Sequence, residues 1–265
     1  MNTMEIAKIK RVVKDTQRIK TFILDIDVSA IPGQFVMVWL PDVDEKPMSV
    51  SYTSGDMGIT ILELGDFTRR LCELKVGGKI GIRGPMGRGF KVYGDRLLLV
   101  GGGVGMAPLA PLAEDAIKEG KEVTAIVGAI TAKELLFVER LKKAGVRVFV
   151  STDDGTAGYK GFTTDVLQEL LQKETFDQCF TCGPEIMMFK VLNIAEDKEI
   201  PTQASLHRYF KCGIGICGHC VLDGTGLRVC KEGPTFRDKE LRKSHEFGYY
   251  WRNAAGQKIY FGVKK

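Results

Sequence analysis

Between residues 19 and 64 short apolar runs alternate with turn residues. Ile19–Ile26, Gln34–Leu40, Ser49–Tyr52 and Gly58–Leu64 are rich in β-branched and aromatic residues, and Pro-Gly, Asp and Gly turns separate them. That pattern predicts short strands. One helix is predicted to interrupt them over Asp66–Lys75, where Phe67, Leu71 and Leu74 recur at helical spacing. Many short strands at close spacing predict a small antiparallel β-barrel over residues 1–93. The rhythm changes at Gly94-Asp95. Arg96-LLLVGGG-Val104 is a continuous apolar run ending in glycines, as a strand buried on both faces would be. Helices are then predicted over Met106–Glu119, Ala132–Ala144, Thr163–Lys173 and Ile186–Ala195. They alternate with strands over Val123–Ala129, Val146–Thr152 and Asp177–Cys182. The β–α alternation predicts a doubly wound parallel α/β sheet over residues 94–200. Residues 201–236 hold a run of cysteines and are too few for a core of their own, so whatever they bind is expected to organise them. Residues 237–265 form a tail, charged and then aromatic (Phe247, Tyr249, Tyr250, Trp251, Tyr260, Phe261).

Composition narrows the class. The 265 residues are 44% hydrophobic and 27% charged, ordinary values for a soluble multidomain chain. A net charge of +5 without any Lys/Arg block makes no case for nucleic acid. The start, MNTMEIAKIKRVV, lacks the apolar core of a signal peptide. The longest apolar stretch, Leu97 to Ala113, is broken by glycines and prolines and is too short to span a bilayer. Seven cysteines, four of them in a ligand pattern, indicate a reducing compartment, and the expected location is the cytoplasm.

Those four are Cys212, Cys217, Cys220 and Cys230, spaced Cys-x4-Cys-x2-Cys-x9-Cys. Four thiolates complete the ligand set of a [2Fe–2S] cluster, and the x4/x2 opening is that of plant-type ferredoxins. Gly213, Gly215 and Gly218 can take positive φ and leave room for a loop to wrap closely. Buried free thiols or a zinc knuckle are the alternatives, but zinc sites more often show two separated Cys-x2-Cys or Cys/His pairs. His219 lies between two of the ligands and is expected to be an ordinary loop residue, because a Rieske site would need two histidines in place of two cysteines.

Two further segments suggest nucleotide binding. Gly101-GGVGMA-Pro108 follows an apolar strand and opens a helix, whose N–H groups favour a pyrophosphate. It departs from the dinucleotide fingerprint in having Pro108 where a third Gly or Ala is expected, and a tight βα turn without ligand is the alternative. Cys182-Gly-Pro-Glu185 also follows a strand and falls at the carboxyl edge of the sheet, where ligands bind. In the predicted barrel, Lys46-Pro-Met-Ser-Val-Ser51 offers a cation, two hydroxyls and backbone donors at a strand start, suiting a flavin phosphate or an ordinary β-turn. Thr68 suits either a helix cap or a pyrophosphate contact. No general-base constellation is visible, and no catalytic residue is assigned.

In this order the motifs resemble the ferredoxin-reductase superfamily. Within it, KCGIGICGHC…VCKEGPTF is similar to the electron-transfer subunits of class B dihydroorotate dehydrogenases, with GGGVGMAP and TCGPEIMM the next most specific segments. The resemblance covers about residues 5 to 236. It implies FAD in the barrel, held by Lys46, Pro47, Met48 and Ser49, with Ile61, Leu62 and Glu63 along the flavin and Phe67 and Thr68 at its pyrophosphate. It places NAD at Gly103, Val104, Gly105 and Met106, with Cys182 near the nicotinamide. Lys46 stands where the family has arginine, and Phe67 where it has glycine. The implied partner is an FMN-containing catalytic subunit in a heterotetramer, with electrons running from FMN through the cluster and FAD to NAD⁺. Related flavin/iron–sulfur subunits serve anaerobic sulfite reductases and cytosolic hydrogenases, and a zinc-stabilised nucleotide-binding regulator is an alternative of another class.

Overall fold

A computed structural model describes residues 3–262. The first unit is a closed antiparallel barrel built from β1 (Glu5–Lys14), β2 (Ile19–Asp25), β3 (Phe35–Leu40), β4 (Asp44–Tyr52), β5 (Gly58–Leu62) and, after α1 (Asp66–Glu73), β6 (Lys79–Met86). The strand order is β1-β2-β5-β4-β3-β6, and β1 pairs with β6 to close the ring. Ala7, Ile9, Phe22, Val36, Val38, Ile59, Ile61, Ile80 and Ile82 fill the interior, all almost completely shielded from water. β1 and β6 were not among the four strands that stood out in the sequence. β1 is dense in lysine and β6 carries two glycines and a proline, so composition hides their inward-facing Ala7, Ile9, Ile80 and Ile82.

The second unit follows with β7 (Arg96–Gly102), α2 (Met106–Lys118), β8 (Glu122–Ala129), α3 (Val138–Lys143), β9 (Arg147–Thr152), β10 (Tyr159–Lys160), α4 (Thr163–Leu171), β11 (Gln178–Cys182), α5 (Glu185–Glu196) and β12 (Thr202–Ser205). After the cysteine segment come β13 (Thr235–Arg237), α6 (Asp238–Leu241) and a hairpin of β14 (Tyr250–Arg252) and β15 (Lys258–Tyr260). The sheet runs β10-β9-β8-β7-β11-β12-β13 and is parallel except for the last pair. It therefore extends into residues 202–205 and 235–237, which flank the cysteine segment and anchor both its ends.

One expectation needs correction. The helix over Ala132–Ala144 is a single 3₁₀ turn (Ala132–Glu134), an irregular link and the short α3. Leu135, Leu136 and Phe137 are three consecutive apolar residues, which one helical face cannot bury. Phe137 takes φ +61° instead, and its ring packs against Tyr52 of the barrel with centroids 6.2 Å apart. The cysteine segment has no apolar core of its own and shares one with its neighbours. Phe210, Leu222, Val229 and Phe236 pack with Phe35, Met37 and Met86 of the barrel and with Met188 and Leu192 of α5. The aromatic tail folds back onto its own chain, where Phe247 and Tyr249 both contact Phe189 of α5.

Candidate functional site

The sheet order reverses at β7: β8 lies on one side and β11 on the other. In doubly wound sheets the crevice at such a switch point, beyond the carboxyl ends of the strands, is the ligand site. Both glycine-containing motifs lie there. Gly103–Gly105 forms one 3₁₀ turn that leads directly into α2. A Cβ on Gly105 would sit 2.2 Å from the Cys182 carbonyl oxygen, so only glycine lets the two loops lie backbone to backbone. The first turn of α2 carries no acidic residue and no side-chain cap, which suits its N–H groups to an anion. Met106 is fully buried in the core below and Val104 is half-buried, so this loop presents mainly backbone. Cys182 is half-buried. Burial pushes its thiol up to about 12 against the opposing hydrogen bond from Ser205, and the group is neutral at physiological pH. Asp153 and Asp154 follow β9 at the same edge of the sheet. The Asp154 carboxylate accepts from the Thr156 hydroxyl at 2.6 Å and the Thr156 N–H at 2.9 Å, contacts that lower its pKa.

In the barrel, Lys46, Pro47, Met48 and Ser49 lie inside β4, which begins at Asp44. This removes the β-turn alternative. The Lys46 ammonium is ion-paired with Asp44 and donates to the Tyr209 hydroxyl at 3.2 Å. Burial opposes its charge, but these contacts outweigh burial and hold its pKa above the ordinary lysine value. Ile61 points into the barrel core, Leu62 packs against the α/β unit, and the Glu63 N–H donates to the Arg18 carbonyl at 2.9 Å. Phe67, in the first turn of α1, is a buried barrel-core residue. The Thr68 hydroxyl accepts from the N–H groups of Leu64 (2.9 Å) and Gly65 (3.0 Å) and donates to the Gly65 carbonyl (3.1 Å), so it caps the helix.

The four cysteines are set in two pairs. Cys212 and Cys217 lie on the outer side, half-buried and exposed, whereas Cys220 and Cys230 are buried. The N–H groups of Ile216 and Cys217 point at Cys212 Sγ (3.4 and 3.5 Å), and that of Cys230 points at Cys220 Sγ (3.4 Å). Burial alone would raise the Cys212 thiol, but backbone donors from Cys217, Ile214 and Ile216 pull it down to about 6. Cys220 is brought to about 7, chiefly by its hydrogen bond with Cys230, whose own thiol is raised in return. Among the described residues no three His, Cys, Asp or Glu side chains converge on a single-ion position. Two thiols on each side suit the two irons of a [2Fe–2S] unit better than one tetrahedral zinc. Gly213 adopts φ +72°, and a Cβ there would lie 2.9 Å from Met37 Cγ, so the loop is pressed against the barrel.

Two contributors escaped the sequence reading. Arg83 of β6 forks onto Glu45 and also reaches the Cys212 carbonyl. Tyr209 stands between Lys46 and His219, with the two rings 5.3 Å apart. His219 lies in a turn of the cysteine loop, as expected, and its Nε2 is buried without a hydrogen-bond partner among the described residues. A charged residue in a strand such as KIGIRGPM was the signal for Arg83, but its target could not be read.

A barrel with a basic strand motif, a switch-point crevice and a cysteine loop at their junction define an oxidoreductase of the ferredoxin-reductase type with an iron–sulfur segment. Family models agree: the iron–sulfur cluster binding domain of dihydroorotate dehydrogenase B matches residues 207–242, and the oxidoreductase NAD-binding domain matches residues 99–192. The probable dihydroorotate dehydrogenase B (NAD⁺) electron transfer subunit of Methanothermobacter thermautotrophicus is 50% identical over 98% of this chain and 98% of its own. That of Methanocaldococcus jannaschii is 48% identical over 97% and 98%. A chain from the structure of an NADH-dependent reduced ferredoxin–NADP oxidoreductase, described for flavin-based electron bifurcation, superposes with TM-score 0.81 at 32% identity, covering 91% of each chain. The ferredoxin reductase of carbazole 1,9a-dioxygenase shares the fold, with TM-score 0.66 at 22% identity over 75% of this chain and 66% of that one. The chain belongs to the family of dihydroorotate dehydrogenase B electron-transfer subunits and is an oxidoreductase subunit that uses flavin, iron–sulfur and NAD cofactors. No helix among the described residues is long and apolar enough to cross a membrane.

Proposed function

We propose that this chain relays electrons between NAD(H) and an FMN-containing catalytic subunit that oxidises dihydroorotate, in a cytoplasmic heterotetramer serving pyrimidine biosynthesis. The observation that carries this reading is the two-by-two pairing of Cys212/Cys217 and Cys220/Cys230 beside the barrel strand bearing Lys46. When bound, FAD supplies the conversion between the two-electron chemistry of NAD and the one-electron chemistry of a [2Fe–2S] cluster. The chain's own part is positioning. Lys46, Pro47, Met48 and Ser49 offer the flavin a strand edge and a cation already oriented by Asp44 and Tyr209. Ile61, Leu62 and Glu63 lie on the neighbouring strand or just beyond it, and Phe67 and Thr68 hold the start of α1 in shape. Gly103, Val104 and Gly105 bring backbone N–H groups to the NAD pyrophosphate, Met106 fixes the turn by donating its own N–H to the Gly103 and Val104 carbonyls, and the neutral Cys182 faces the nicotinamide without competing for charge. Cys212, Cys217, Cys220 and Cys230 hold the irons, with the outer pair towards the partner.

Anaerobic affinity purification of the tagged chain from its own cells tests this. The expected outcome is a co-purifying FMN-bearing dihydroorotate dehydrogenase, with flavin and [2Fe–2S] absorbance in the complex. Zinc at full occupancy with iron absent would overturn the cluster assignment. Co-purification with a different redox enzyme would overturn the choice of partner.

A further inference from the structure

We propose that Arg83 is a positioning residue for electron transfer, a strut that fixes the first cluster cysteine against the strand that holds the flavin. Its Nε and one Nη donate to the two carboxylate oxygens of Glu45 at 3.0 and 2.8 Å, and the same Nη donates to the Cys212 carbonyl at 3.0 Å. Glu45 immediately precedes Lys46 on β4, so one guanidinium ties the proposed flavin strand to the proposed iron ligand, Cys212 lying 129 positions after Arg83. The side chains of Arg83 and Glu45 are only 15% and 22% exposed, so the fork is largely removed from solvent and from salt screening. A planar fork fixes direction as well as distance, which a lysine at the same place would not do. Packing reinforces the strut from two sides: Gly213 is pressed onto Met37 of β3, and Tyr209 lies between Lys46 and His219. Without Arg83 the Cys212 carbonyl and the Glu45 carboxylate would both lose a donor at the barrel–loop junction.

The inference rests on the reading above, that β4 holds FAD and that Cys212 binds iron. It is tested in the full chain assembled with its catalytic subunit, by comparing wild type, Arg83→Met, Arg83→Lys and Glu45→Gln after mixing with NADH. In Arg83→Met, flavin absorbance is expected to bleach at the wild-type rate while cluster absorbance bleaches more slowly, on the order of tenfold, because small misplacements of reacting groups are costly. The electron paramagnetic resonance signal of the reduced cluster is expected to broaden in the same variant. Arg83→Lys keeps the charge without the fork and is expected to fall between. Unchanged cluster bleaching and an unchanged resonance signal in Arg83→Met would overturn the strut. If that variant fails to assemble its cluster, Glu45→Gln carries the test: a cluster rate slowed a few-fold supports the strut, and a wild-type rate overturns it. A wild-type complex with no iron–sulfur absorbance would instead overturn the underlying reading, so the two failures are distinguishable.

Discussion

The parallel sheet and the cysteine segment that leaves its edge are held together by different forces. The sheet is buried on both faces by unbroken aliphatic packing: Leu97, Leu98, Leu99 and Val100 of β7 are fully shielded, and so are Ala125, Ile126 and Val127 of β8. Burial of such side chains contributes roughly 1.5–3 kcal/mol each and depends little on pH or salt. Apolar packing in the cysteine segment is shared with its neighbours, and polar tethers fix its position. Arg83 reaches the Cys212 carbonyl, Arg228 reaches the Gly215 carbonyl, and Asp223 accepts from Tyr250 and Arg252. Arg208 sits buried between Glu185 of the CGPE motif and Glu246 of the tail. Non-directional burial gives a rigid scaffold, whereas directional tethers set the position of a loop relative to two other units. An electron relay needs both.

The sharpest way to separate the two regions is to remove a thiol. Cys217→Ser is expected to abolish the iron–sulfur spectrum while flavin stays bound, because the barrel closes independently of the loop. Visible absorbance and metal content of anaerobically prepared protein check this. Loss of flavin together with iron would show that the loop is as structural as the sheet.

Next in size is the buried ion triad. The Arg208 side chain is 3% exposed and those of Glu185 and Glu246 are 8% and 1%. Arg208→Met would leave two carboxylates facing each other without a cation, a loss on the order of 3–5 kcal/mol. Leu99→Ala in the sheet is expected to cost about 2–5 kcal/mol. Similar totals would differ in kind. The Arg208 loss should shrink in acid, where Glu185, whose pKa burial raises, takes up a proton, and the Leu99 loss should not. Urea unfolding at two pH values distinguishes them, and an identical pH response would erase the contrast.

The same contrast explains what could be read from the sequence. The sheet announced itself, since a strand buried on both faces must be continuously apolar and its glycine-rich exit must be a turn. The spacing of the cysteines marked a cluster because their chemistry is local. The helix expected over Ala132–Ala144 failed at Phe137, whose ring is drawn to Tyr52 of the other unit. The partners of the cysteine segment's apolar residues could not be read, because Phe35, Met37 and Met86 are supplied by strands far away in sequence. Arg83, Tyr209 and the orphaned His219 nitrogen have meaning only once barrel and loop are side by side. Long-range polar tethers leave no periodicity to find.

A third prediction uses the thiols as reporters of the two environments. In cluster-free chain, Cys212 is expected to alkylate readily at pH 7, with a rate that falls as pH drops through about 6. Cys182, held near 12 by burial, is expected to react far more slowly at the same pH. The linkage follows in sign. A folded-state pKa below the ordinary 9.0 means that the donors from Cys217, Ile214 and Ile216 stabilise the loop fully above the ordinary thiol range, and that this contribution is lost as pH falls through about 6. Mass-spectrometric mapping of alkylated cysteines against pH checks it, and equal rates at Cys212 and Cys182 would remove the distinction.

The smallest expected effect lies at the edge of the sheet, where a polar turn meets the rigid scaffold. Asp153 and Asp154 follow β9 at its carboxyl end, the region where a dinucleotide's ribose is held in doubly wound folds. Asp154 stays ionised at neutral pH because the Thr156 hydroxyl and N–H stabilise its carboxylate. A carboxylate there accepts a ribose hydroxyl and repels a 2′-phosphate, so NADH should be preferred to NADPH. The setting is exposed and screened by solvent, so the preference is expected to be modest, on the order of fivefold. Steady-state kcat/KM for the two nucleotides gives the ratio, and replacing both residues with asparagine should narrow it. A narrowing that disappears in 1 M salt would assign the preference to charge repulsion at the turn. A wild-type preference for NADPH would mean that these carboxylates are only a solvated turn, and that nucleotide choice is made in the rigid crevice between Gly103 and Cys182.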